Sequence, residues 1–197
     1  VPLARESDMS IVVCQVIALR AARNIGIRVP KSTIDRAARY VVDSAVTDER
    51  GRGFQQHPAY RNELGTFHYQ SESYSRTSFP LTAAGVTALH GLGIYSNDLI
   101  RKGIDYLNAE LARFNRAYAN SGHYFFWYGH YYGVQAMYTQ GGQDWRNYFT
   151  NLRRVLLDVQ QPDGSWPNHD GPGPVYGTAT AVLILEIPYG LLPIFQR

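Results

Sequence analysis

Apolar and polar positions along the chain fall into a recurring pair of helical patterns. One member is apolar and Ala-rich and runs into a glycine. It occurs at 9–24 before Gly26, 79–92 before Gly93, 130–140 before Gly141, and 178–187. The other is one-sided and occurs at 33–44, 98–110 and 145–160. Ile34, Ala37, Ala38 and Val41 share one stripe, with Asp35, Arg36 and Arg39 opposite; Leu152, Val155, Leu156 and Val159 likewise oppose Arg153, Arg154 and Asp158. This spacing predicts amphipathic helices, whereas a helix that is apolar all round is expected to be buried all round. The pairs therefore read as inner helices wrapped by outer ones. Self-similarity at tens of residues implies supersecondary units that share one core. The expected fold is all-α, with helix pairs stacked as an open solenoid or an α/α toroid. Three full pairs and a terminal half make a partial ring, so a longer chain or a homo-oligomer is expected to complete it.

Punctuation supports this layout. Asp8 or Ser10 is placed to cap the first helix, and Thr33 and Asp98 fall at first-turn positions. Connections at 45–78, 111–129 and 162–177 are long, as functional loops often are. Short strands are expected at 53–55 and 65–69.

Composition narrows the function classes. The 197 residues are read as a single domain with ample chain for a core. Net charge is +3, from 19 basic and 16 acidic residues. The basic residues are scattered without a long run, which argues against nucleic acid as a partner. No apolar stretch is long enough for a transmembrane helix. Cys14 is the single cysteine, so an internal disulfide framework is excluded. The chain starts at Val1 rather than Met, which leaves the compartment open, export included.

Gln160-Gln-Pro-Asp-Gly-Ser-Trp166 resembles the glutamine–tryptophan repeat of the terpenoid cyclase and protein prenyltransferase superfamily. Gly164 permits the tight turn, Asp163 can bond its own backbone, and Trp166 can cover apolar helix ends. The segments 10–26, 81–93, 130–137 and 176–181 are similar to the inner helices of bacterial members with prenyltransferase/squalene-oxidase repeats. The resemblance implies an α/α toroid and isoprenoid cyclisation or transfer as the reaction class. The departures cut against borrowing that chemistry. The Asp-x-Asp-Asp acid motif of class II cyclases is missing. Matching Gln135-Ala136 to the family's Gln-Ala puts Tyr128, His130 and Gly177 where its Asp, Cys and His zinc ligands stand. No metal and no cofactor are therefore expected. Cys14 also lacks the thioester context of complement-type toroids.

Candidate chemistry concentrates at His123–Tyr132, where seven of the nine residues from Tyr124 onward are aromatic. Such rings can line a cavity for an apolar or ring-shaped ligand. The candidate binding residues are His123, Tyr124, Trp127, Tyr128, His130, Tyr131 and Tyr132, with Tyr176 before the last inner helix. Arg76, which precedes another inner helix, is a candidate anion ligand. Asp8 is the candidate general acid, with Glu72 and Asp170 behind it; its plainer reading is an N-cap. His57, His68 and His169 are further loop histidines. Two other functions compete: a non-catalytic scaffold for a peptide or glycan, and a carbohydrate-active α/α barrel needing two facing carboxylates.

Overall fold

A computed structural model describes residues 8–47, 63–70 and 77–191. Among these the regular structure is helical: seven α-helices and one 3-10 turn, with no strand beyond isolated bridges. Two compact units, 1–106 and 107–197, are distinguished by their internal contacts.

The first unit holds α1 (Met9–Asn24), α2 (Lys31–Asp43), α3 (Phe79–Gly91) and the first turns of α4 (Asp98–Tyr118). Asp8 caps α1 by accepting from Ile11 N–H at 2.9 Å, and Ser10 donates its hydroxyl to the same carboxylate. Asn97 caps α4, accepting from Ile100 N–H at 2.8 Å. Thr33 lies within the first turn of α2, behind Pro30, and Asp98 opens α4. α3 is the centre of this unit, buried at every residue from Phe79 to His90, and it packs mainly on α1. Phe67 lies flat against it at Gly85. A Cβ there would sit 2.3 Å from the ring, so only glycine leaves room for it. The 65–69 segment makes bridges at Ala45↔Phe67 and His68↔Thr77 rather than a strand, because each pairing ends after one residue pair. The strand expected at 53–55 falls outside the described residues.

The second unit contains the rest of α4, α5 (Tyr124–Gln140), α6 (Gly142–Val159), α7 (Pro174–Glu186) and the 3-10 turn Ile187–Tyr189. α5 packs against both α6 and α7. The core is built from Leu107, Phe114, Phe126, Trp127, Met137, Tyr148, Leu152, Leu156 and Ile184. α6 and α7 are tied by the Gln160–Trp166 turn. Gly164 (φ +85°) turns the chain, Gln160 Nε2 donates to its carbonyl at 3.0 Å, and Asp163 accepts from Ser165 N–H and hydroxyl at 3.0 and 2.7 Å. Trp166 is buried. Its indole N–H donates back to Leu156 O at 2.8 Å, and its main-chain N–H donates forward to Thr178 Oγ1 at 3.0 Å.

Two further sequence expectations are corrected. α4 runs to Tyr118 and α5 starts at Tyr124, so most of the loop expected at 111–129 is helix. The apolar helices also differ in burial. α3 is enclosed, but α1 exposes Ile11, Cys14 and Ala18, and α7 exposes Val175, Ala179 and Val182. A neighbouring helix covers only part of each of these two surfaces.

Candidate functional site

Aromatic residues are middling helix formers, so α5 is held by packing and by its ends more than by propensity. His123 caps it, with Nδ1 accepting from Phe125 N–H at 3.0 Å, and Gly141 ends it. The helical period then divides the aromatic segment. Phe126, Trp127, His130, Val134 and Met137 share a face with no solvent exposure. Tyr124, Tyr128, Tyr131 and Tyr138 share another. Tyr124 is 36% exposed and the other three are half-buried. Tyr132 is buried between the faces and makes edge contacts with both Tyr128 and Tyr131, at 4.8 and 4.9 Å between ring centres.

The buried face is satisfied from within. Trp127 donates its indole N–H to Pro167 O at 3.1 Å. His130 bridges Asn115 Oδ1 at 2.7 Å and Tyr148 hydroxyl at 2.8 Å. An amide oxygen only accepts, so Nε2 carries the proton and Nδ1 accepts from the tyrosine. Phe114 and Phe126 stand edge-on to the imidazole. Burial holds His130 at a pKa of about 3, and burial likewise pushes Tyr148 well above the ordinary phenol range.

The N-terminal rim of α5 is held by the 167–173 segment. Tyr124 N–H donates to Asp170 O at 3.2 Å, His169 N–H to Gly122 O at 2.9 Å, and His123 Nε2 meets Asp170 Oδ2 at 2.9 Å. The segment then leads into α7, where Asn168 donates to Gly173 O at 3.0 Å and Tyr176 sits half-buried in the first turn.

The sequence-derived candidates thus separate. His123, Tyr124, Tyr128, Tyr131 and Tyr132 come together along one side and the rim of α5. Trp127 and His130 lie in the interior. Tyr176 belongs to the neighbouring helix. Asp8 is engaged as the cap of α1 in the first unit, His68 is buried there, and His169 is exposed. Arg76, His57 and Glu72 fall outside the described residues. Of the residues that the resemblance sets opposite zinc ligands, His130 has both ring nitrogens engaged, by Tyr148 and Asn115, and Gly177 lies close against Trp166 O and Pro167 O. Among the described residues no three His, Cys, Asp or Glu side chains are grouped to hold a metal. No described helix is long and apolar enough to cross a membrane.

Asn115 and Tyr148 are the residues that sequence reasoning missed. Ile104, Leu107, Leu111 and Phe114 continue the helical spacing of α4 without a breaker, and following it further would have carried Asn115 into the core. Elsewhere, an open groove of about 310 Å³ runs along α6, lined by Thr150, Asn151, Arg153, Arg154, Leu157 and Asp158. Comparison with protein-family models, curated proteins and solved structures gives no match.

Proposed function

We propose that the chain is a divergent helical-repeat protein of the terpenoid cyclase/prenyltransferase type that binds an apolar or ring-shaped ligand on the tyrosine side of α5. The observation that carries this reading is the division of α5: its core-facing rings are internally satisfied, while Tyr124, Tyr128 and Tyr131 line up on a partly open side. Phenol rings offer flat apolar faces with polar edges, which suits a hydrocarbon or ring ligand. The hydrogen-bonded Gln160–Trp166 turn supports the repeat assignment, and the same repeat implies an α/α toroid or partial toroid. α5 carries no acidic residue, so the reading is of binding. A scaffold role for a peptide or glycan is the second reading, favoured by the exposed apolar residues of α1 and α7.

Titration with N-phenyl-1-naphthylamine, a neutral apolar fluorophore, tests the first reading. Tyr124→Ala and Tyr131→Ala are expected to weaken binding severalfold while leaving circular dichroism unchanged. Trp127→Ala is a poor probe, because it removes core. Unchanged affinity in both tyrosine variants would sink the proposal.

A further inference from the structure

α1 is apolar on nearly every side, yet only one side is packed. It lies on α3 and α2, and Met9, Val13 and Val16 are its buried residues. Ile11, Ala18 and Ile25 follow one another at seven-residue spacing on the opposite side. Ile11 is 58% exposed, Ile25 74%, and Ala18 is exposed between them. Seven residues make nearly two helical turns, so the three fall on one line along the helix. Cys14 and Ala21 repeat the spacing along one edge of that line, and Gln15 borders the other. Arg20 is turned away from it, donating to His90 O and Tyr95 hydroxyl. Charge stands at the ends: Asp8 caps the start of α1, while Arg23 lies in its last turn and Arg28 is exposed just beyond.

We propose that this line is a dimer seam, occupied by α1 of a second copy of the chain running antiparallel about a two-fold axis at Ala18. A two-fold contact has to be complementary to itself. Bulk along the line is symmetrical about Ala18, with small residues at the centre and an isoleucine seven positions away on either side. Antiparallel pairing sets Ile11 over the partner's Ile25 at both ends and Cys14 beside the partner's Ala21. Alanine at the centre lets the two backbones approach closely. The charges agree with this direction. Asp8 and Arg28 stand ten positions either side of Ala18, so the axis brings each Asp8 to the end where the partner's Arg28 stands. Parallel pairing would set acid beside acid and base beside base, with the helix dipoles aligned as well. The seam is one helix of 16 residues. That is small beside a standard interface, so an affinity in the micromolar range is expected. The seam does not depend on what binds the tyrosine side of α5.

Sedimentation velocity of the full chain under reducing conditions tests the seam, with a dimer expected at roughly 100 μM, well above a micromolar dissociation constant. Ala18→Arg places a charge on the axis. It is expected to raise the dissociation constant at least tenfold and to leave circular dichroism unchanged, since Ala18 is exposed in the single chain. Arg28→Glu is expected to raise it severalfold. Oxidative crosslinking reads the direction. In a Cys14→Ser background, Ala18→Cys is expected to form an intermolecular disulfide, because that position meets its own copy on the axis. In the unaltered chain the two Cys14 residues lie four positions either side of the axis, about 12 Å apart along it, beyond the reach of a disulfide. A monomer at that concentration, a dimer that Ala18→Arg leaves intact, or a disulfide that forms through Cys14 and not in the Ala18→Cys variant would each overturn the proposal.

Discussion

Lowering the pH from about 7 to 5 is expected to destabilise the protein through two buried imidazoles. His130 has no exposed surface, and burial holds its pKa at about 3. His90, 4% exposed at the end of α3, is held at about 4, first by burial and then by the charge of Arg20. Both rings are neutral when folded, whereas in the unfolded chain they take up protons below about pH 6.5. The unfolded state binds more protons, so stability is whole above that value and drains away as the pH falls toward the folded pKa. Each pH unit in this window is worth about 1.4 kcal/mol per ring, so at pH 5 each ring costs about 2 kcal/mol. The two together remove about 4 kcal/mol, a large share of an ordinary domain's margin. Urea unfolding followed by circular dichroism at the two pH values measures this directly. His90→Leu provides the control. Nδ1 of His90 has no hydrogen-bond partner among the described residues, so the change is expected to leave stability at pH 7 nearly intact and to remove about half of the pH sensitivity. Equal stability at pH 7 and 5, or an undiminished pH dependence in His90→Leu, would refute the reasoning.

Two further substitutions probe the framework. Trp166→Phe keeps the buried ring but leaves Leu156 O without its donor, and is expected to lower the unfolding free energy by about 1–2 kcal/mol in urea titrations. Gly85→Ala drives a methyl into the Phe67 ring and is expected to cost about 1–3 kcal/mol, part of which Phe67→Leu in the same chain restores, as thermal melts of the single and double variants would report.

Local order was the more legible part of the sequence. The Gln160–Trp166 turn could be read because its partners lie within a few residues, and glycine, aspartate and tryptophan each have one obvious use there. Asp8 as a cap was equally local. The helix boundaries at 111–129 were misplaced because aromatic residues and a histidine interrupted an apolar pattern that in fact continued through Phe114. The two faces of the aromatic segment could not be told apart beforehand. Whether a ring is core or surface depends on which helices flank α5, and the partners of His130 lie 15 and 18 positions away on other elements. The exposed residues of α1 were hidden for a related reason: an all-apolar helix looks buried from its own sequence, while burial depends on its neighbours.

Photo-crosslinking of the purified protein with a benzophenone-bearing prenyl alcohol, mapped by tandem mass spectrometry, tests the central claim most directly. The account predicts adducts on α5 at Tyr124, Tyr128 or Tyr131, competed away by unlabelled prenyl alcohol. Adducts confined to the exposed residues of α1 or α7, or labelling that the unlabelled alcohol does not reduce, would contradict it.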